Sequence, residues 1–293
     1  MSADAPPIAS TATEPDRYCV VGHPVAHSRS PWIHARFAAL TGEPVAYGAQ
    51  LLPLEGFADG IRRLADAGFR GCNVTVPFKF DAIALCDRLT DRARIAGAAN
   101  TLRFEDGEIH GDNTDGAGLV ADIERNLGLP IAGREVLLVG AGGAAAGVLG
   151  PLLAARPGRL IVTNRTHMRA VELVAAHQPL ALLSETELVA QAQPALEGDF
   201  DIVINATASS LAGGMVPVPS SVLRPGALAL DMMYGPAAQV FLAWALRHGA
   251  QPRDGLGMLV EQAAEAFLYW RGVRPPSAQV LGELRAHLAA TAA

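Results

Sequence analysis

The chain has 293 residues, half of them apolar and 18% charged, with a formal net charge of −6. That length allows two domains of ordinary size, each with its own core. The acidic balance and the lack of a dense Lys/Arg stripe exclude nucleic acid and anionic membrane as expected partners, since both require clustered positive charge, and leave a small-molecule enzyme as the natural class.

No apolar run approaches ~20 uninterrupted residues, so no membrane-spanning segment is expected. The three cysteines, Cys19, Cys72 and Cys86, have no metal-ligand spacing and read as packing residues in a reducing cytoplasm, with no metal site.

Residues 1–17, rich in Ala, Pro, Ser and Thr, read as a disordered tail without the features of a secretory signal. Tyr18-Cys19-Val20-Val21 is a short strand, and a polar loop leads to a helix from Pro31 to about Leu40 that stops at Gly42. In that loop Ser30 precedes Pro31 as an ordinary N-cap. Together with Ser28 it also puts two hydroxyls beside free helical N–H groups, a suitable cradle for a carboxylate.

Gly71 to Val76 is the next strand. With period two, Asn73 and Thr75 share one face and Cys72, Val74 and Val76 the other. Polar groups at a strand's carboxyl end serve ligands in open α/β sheets, the alternative being that they hydrogen-bond each other. Lys79 opens a helix predicted over Lys79–Leu89, where a cation opposes the helix dipole, so local stability does not explain it; the plain alternative is an exposed lysine.

Asn100 precedes a hairpin over Thr101–Ile109 that turns at Asp106-Gly107. Gly111-Asp112-Asn113-Thr114-Asp115-Gly116 follows, with Asp112 read as a turn residue and Asp115 as facing a cleft at the domain crossover. A helix from about Leu119 to Leu127 ends at Gly128-Leu129-Pro130.

The apolar run Val136-Leu137-Leu138-Val139 runs into Gly140-Ala141-Gly142-Gly143-Ala144-Ala145, the glycines a strand needs to turn sharply, approach a pyrophosphate and start a helix. After Leu160-Ile161-Val162 comes Thr163-Asn164-Arg165-Thr166. An NAD enzyme offers Asp or Glu to a ribose hydroxyl at about this distance, ~20 residues on, whereas Arg165 suits a 2′-phosphate. Arg169, four residues further, is read as a second cation on the same helical face. The predicted cofactor is NADP(H).

Four strands, 135–139, 160–163, 201–205 and 227–231, alternate with helices as a doubly wound parallel sheet requires. The predicted fold is α/β with two domains: a Rossmann-type nucleotide domain over 116–254, and a substrate domain from 18–115 completed by 255–293, with a ligand cleft between them. On the last predicted helix, Leu259, Ala263, Ala266 and Trp270 make an apolar stripe. Gln262, about 60° off its centre, either reaches a cleft or bonds to backbone.

These segments, together with Asn205-Ala206-Thr207, Asp231-Met232-Met233-Tyr234 and Asp254-Gly255-Leu256-Gly257-Met258-Leu259, resemble the shikimate dehydrogenase family over Tyr18 to Leu288. The resemblance implies reversible reduction of 3-dehydroshikimate to shikimate with NADPH, a step toward chorismate and the aromatic amino acids. It implies Lys79 and Asp115 as the catalytic pair and a substrate carboxylate held by Ser28 and Ser30 with Tyr234. Ring hydroxyls would be bound by Thr75, Asn100, Asp115 and Gln262, with Asn73 in support. The cofactor would lie on Gly140, Ala141, Gly142, Gly143, Ala144, Asn164, Arg165, Thr166 and Arg169, with its nicotinamide near Met232 and Gly255.

Ala145-Ala146 departs from the family's frequent Ser-Arg, His23 from a frequent Asn, and Ala208 from a frequent Ser. Two other readings are an NAD-using quinate or aminoshikimate dehydrogenase and a catalytically silent NADPH-binding relative; the presence of both Lys79 and Asp115 speaks against silence. The assembly expected is a monomer or homodimer.

Overall fold

The computed structural model describes residues 14–207 and 216–292, so Ala208 lies outside the described residues. Among the described residues, two six-stranded sheets carry the chain. The first contains β1 (Asp16–Gly22), β2 (Val45–Leu51), β3 (Phe69–Val74), β4 (Arg88–Leu89), β5 (Thr101–Glu105) and β6 (Glu108–Asp112), in the order β2-β1-β3-β5-β6-β4. The second contains β7 (Glu135–Val139), β8 (Arg159–Asn164), β9 (Glu187–Ala192), β10 (Phe200–Asn205), β11 (Leu223–Asp231) and β12 (Gln251–Arg253), in the order β12-β11-β10-β7-β8-β9. All its pairings are parallel. This is the doubly wound dinucleotide-binding order, which reverses between β7 and β10.

Both faces of the second sheet are covered, which is why β7 reads as an unbroken apolar run. Val136 and Leu138 point into a core with Val148 and Leu152 of α6 (Gly143–Ala154) and Leu119 of α5 (Asp115–Ala121). Leu137 and Val139 point the other way, against Phe241 and Trp244 of α8 (Gln239–Arg247). In the first sheet Cys19 and Cys72 are fully buried packing residues beside Phe57 and Phe78. Burial pushes both thiols up, that of Cys19 to about 12, so neither is a reactive thiolate.

α1 (Ser30–Thr41) and α9 (Leu256–Arg271) pack together through Ile33, Phe37, Val260 and Phe267, joined by Leu284 of α10 (Ser277–Ala292). The C-terminal helices thus cover the first sheet's side of the molecule. α5 lies between α6 and α9. A side chain at Gly116 would strike Pro151 and the Gly147 carbonyl, and one at Gly118 would strike the Gln262 backbone. Glycine is what lets these helices approach closely enough to join the two halves.

Several local expectations are corrected. The first strand begins at Asp16, inside the segment read as a tail, because Asp16 pairs with Val45 and forms ion pairs with Arg70 and Arg271. The strand predicted to Val76 ends at Val74, before Pro77, which has no N–H for a ladder. The helix predicted over Lys79–Leu89 is only α3 (Lys79–Ile83), because Asp87 N–H is drawn to the Ile109 carbonyl and Arg88 pairs with His110 as β4. The helix predicted from Leu119 begins four residues earlier, at Asp115, and continues as a π-helical turn over Asp122–Asn126. The hairpin turns at Asp106 and Gly107, both with positive φ, as the type I′ geometry requires.

Candidate active site

The local anchors of Lys79 and Asp115 lie on separate elements. Phe78 is buried and stacks on Phe57 with ring centroids 4.5 Å apart, which pins the start of α3, and the Lys79 carbonyl accepts the Ala99 N–H at 2.9 Å. Asp115 opens α5 just beyond β6, with its own N–H on Asn113 Oδ1 at 3.2 Å. A carboxylate in a helix's first turn is favoured by the dipole.

The loop before it is locked by Asp112. This carboxylate is fully buried, takes two N–H groups of Arg92 at 2.5 and 2.7 Å, and accepts the Thr90 hydroxyl at 2.6 Å. Its reading as a mere turn residue is therefore corrected. A buried bidentate pair of this kind is strongly destabilised if one partner is removed.

The two head groups meet. Lys79 Nζ lies 2.6 Å from Asp115 Oδ2, with the lysine side chain 23% exposed and the aspartate 9%. Asp115 Oδ1 accepts Asn100 Nδ2 at 2.8 Å. Gln262 on α9 completes the cluster: its Oε1 stands 3.5 Å from Asn100 Nδ2 and 3.4 Å from Thr114 Oγ1, while its Nε2 bonds to the Leu259 carbonyl at 2.8 Å. Of the alternatives raised for Gln262, the bond to backbone is present, and its oxygen faces the polar cluster. The nucleotide half closes the cluster, since a side chain at Gly147 of α6 would lie 3.5 Å from Asp115 Oδ2.

Asn73 is buried and hydrogen-bonded to Tyr47, Asn100 and Thr101 and not to Thr75, so its partners come from other strands. Thr75 sits half-buried just past β3, with its methyl against Gly22.

Ser28 Oγ accepts the Ser30 N–H at 3.2 Å, and Ser30 is buried as the first residue of α1. The N-cap position belongs to Arg29, without a side-chain cap bond, which corrects the reading of Ser30 as N-cap. Tyr234, from the loop after β11, packs with the α1–α9 cluster. Burial pushes its phenol up, against a smaller opposing pull from the nearby Arg29, so it remains a neutral donor beside the serine loop.

The glycine turn follows β7 at the point where the strand order reverses. Gly140 has φ +120, and a side chain there would meet the Ala206 carbonyl at 3.0 Å, whereas Gly142 is open. Gly143, Ala144 and Ala145 form the first turn of α6, which contains no acidic residue, and Ala141 lies beside it. Asn164 Nδ2 bonds to the Thr166 carbonyl at 2.9 Å and shapes the next loop. Arg165 and Arg169 are exposed and form no ion pair with a described residue. Arg165 precedes α7 (His167–Leu183), so the two arginines do not share a helical face; both nevertheless flank its start. Met232 and Gly255 touch: a side chain at Gly255 would fall 2.2 Å from the Met232 carbonyl. An open turn, a helix start free of acid and two guanidiniums without ion partners among the described residues suit a dinucleotide carrying a 2′-phosphate.

Tyr47, Thr101 and Thr114 are part of this polar cluster but were not singled out by sequence reasoning. Tyr47 lies on β2, a strand hidden in the sequence by Gly48.

A dinucleotide platform on one sheet, with a lysine–carboxylate pair brought to its edge by the other, is the division of labour of a two-domain NADP-dependent oxidoreductase. Residues 20–102 match the shikimate dehydrogenase substrate-binding domain, 123–212 match shikimate/quinate 5-dehydrogenase and 255–285 match the shikimate 5′-dehydrogenase C-terminal domain. The chain belongs to the NADP-dependent shikimate dehydrogenase family. It is 66% identical over 277 residues to the NADP(+) shikimate dehydrogenase of Acidovorax sp. (strain JS42), covering 94% of this chain and 98% of that protein. Among solved structures, the Ael1 enzyme from Pseudomonas putida is 45% identical with a TM-score of 0.83, covering 92% and 98% of the two chains. Shikimate 5-dehydrogenase from Thermus thermophilus, crystallised with NADP(H) and shikimate, is 31% identical with a TM-score of 0.80, covering 92% and 99%.

Proposed function

We infer that this chain reversibly reduces 3-dehydroshikimate to shikimate with NADPH, serving chorismate and aromatic amino acid biosynthesis in the cytoplasm. The observation that carries this reading is the Lys79–Asp115 pair, 2.6 Å apart and partly buried, at the junction with the nucleotide half. Bound NADPH supplies the hydride that the ketone carbon receives.

Lys79 does the rest at the oxygen. Its ammonium faces the carbonyl, stabilises the negative charge that develops there and delivers the proton that completes the hydroxyl; in the reverse direction it takes that proton back. Asp115 orients the ammonium and accepts from a neighbouring ring hydroxyl. Ser28, Ser30 and the neutral Tyr234 phenol hold the substrate carboxylate, a role supported by their convergence around the start of α1. Thr75, Asn100 and Gln262 face the ring hydroxyls, with Asn73 behind them. Gly140 to Ala144 receive the pyrophosphate, Asn164, Arg165, Thr166 and Arg169 the adenosine 2′-phosphate, and Met232 with Gly255 the nicotinamide.

The direct test follows dihydronicotinamide absorbance with shikimate and NADP+, with quinate and NAD+ as parallel arms. The expected result is a higher kcat/KM for shikimate with NADP+ than for any other combination. A preference for quinate or NAD+ would replace this assignment with that of the related dehydrogenases, and no turnover in any arm would mean a silent relative.

A further inference from the structure

Behind the Lys79–Asp115 pair runs a continuous line of hydrogen bonds that begins two strands away. Tyr47 on β2 reaches across β1 and donates its phenolic proton to Asn73 Oδ1 at 2.7 Å. With its oxygen committed, Asn73 turns Nδ2 toward Thr101 Oγ1 at 3.0 Å and the Asn100 carbonyl at 3.3 Å. The antiparallel register of β3 and β5, which sets Asn73 opposite Thr101, makes this contact inevitable.

Thr101 Oγ1, already accepting, has its own proton to give, and Asn100 Oδ1 lies 2.9 Å away. Asn100 Oδ1 also accepts the Thr114 backbone N–H at 2.8 Å, a donor that cannot reverse. The carboxamide therefore has one allowed orientation, which aims Nδ2 at Asp115 Oδ1 and leaves Oδ2 for Lys79. Asn73, Asn100 and Thr101 are all buried, so water offers no alternative partner.

We propose that Thr101, backed by Tyr47, is a positioning residue for the reaction: its hydroxyl, donating to Asn100 Oδ1 beside the Thr114 N–H that fixes the amide's orientation, holds the Asn100 amide in place and thereby the Asp115 carboxylate with one oxygen presented to the Lys79 ammonium. The hydrogen bonds of Thr101 and Tyr47 go to Asn73, Asn100 and Thr114, and not to Lys79 or Asp115. A fully buried threonine whose hydroxyl did nothing would be better replaced by an apolar side chain. The proposal rests on the assignment of Lys79 and Asp115 as the reacting pair.

The test compares Thr101→Val, Thr101→Ser and Tyr47→Phe with the parent chain by steady-state kinetics in shikimate and NADP+, alongside thermal melting and NADPH binding by nucleotide fluorescence. Thr101→Val is expected to lower kcat about tenfold, the value of one well-placed hydrogen bond, while KM for NADP+ stays within ~2-fold. Thr101→Ser, which keeps the hydroxyl and loses the methyl, returns kcat to within ~3-fold of the parent, and Tyr47→Phe gives a smaller loss than Thr101→Val.

Equal losses for Val and Ser, or a parental kcat in Thr101→Val, overturn the proposal. Should Thr101→Val fail to melt cooperatively or bind NADPH, Tyr47→Phe decides, and parental kcat there overturns it. An inactive parent chain defeats the functional assignment and the proposal together, whereas an active parent with an unaffected Thr101→Val defeats the proposal alone.

Discussion

Lys79 stands at a helix start, where the backbone dipole disfavours a cation, and its closest partner is a carboxylate 36 positions along the chain. Such placement makes sense for chemistry. Lys79→Ala is expected to reduce kcat by ~10²-fold or more with a much smaller change in KM for shikimate, because the proton transfer is needed in the transition state and contributes little to ground-state binding. A variant with near-parental kcat would remove Lys79 from that role. Arg165 poses the complementary case, an exposed guanidinium without an ion partner among the described residues. Arg165→Ala should raise KM for NADPH by about tenfold and leave NADH turnover unchanged, since only the phosphorylated ribose presents the charge it binds. Parallel losses with both nucleotides would make the arginine structural.

Among the elements, α5 and α9 approach closely. Gly118 faces the Gln262 backbone nitrogen at 2.6 Å from the position of an added Cβ. Backbone cannot move aside as a side-chain tip can. Gly118→Val should therefore cost about 2 kcal/mol or more and lower Tm by ~4 °C or more, with kcat falling as Gln262 and Thr114 separate. An unchanged Tm in a calorimetric scan would show that the helices part without cost. Helix limits, too, are set by partners distant in the chain. α3 stops at Ile83 because Arg88 is claimed by β6, a pairing no helical periodicity announces.

For the molecule as a whole, a buried histidine links stability to pH. His34 is fully buried, stacked on Tyr47 with centroids 4.1 Å apart, and neither ring nitrogen has a hydrogen-bond partner among the described residues. Asn73 lies beside the ring and favours its protonated form, a smaller pull than that of burial. Burial pushes the imidazole down to about 3 from its ordinary 6.5. The unfolded chain therefore binds a proton that the folded chain refuses. Stability contributed by the neutral ring is present above about pH 6.5 and is lost as pH falls from there toward 3. Chemical denaturation between pH 7.5 and 5 should show stability falling, and His34→Phe, which keeps the aromatic stack, should flatten that slope. It should not abolish it, because burial also lowers His177, against a smaller opposing bond to the Leu173 carbonyl. Identical slopes in parent and variant would exclude His34 as a source.

Much of the nucleotide half was legible in the residues alone. β7 matches its predicted limits, and Gly140 to Ala144 with Arg165 are contiguous strand-turn-helix signals, so the binding chemistry and the local backbone are written in the same few positions. Asn73, Lys79, Asn100, Asp115 and Gln262 could likewise be picked out as polar residues at strand ends or helix edges. Apart from the Lys79–Asp115 pairing, which the family resemblance implies, their partners could not. The bonds of Asn73 to Thr101, Asn100 to Asp115 and Arg92 to Asp112 depend on sheet register and on glycine-mediated helix approach, which join residues far apart in the chain. Periodicity tells which face a side chain takes; only the packed sheet and its neighbouring helices decide what stands opposite it.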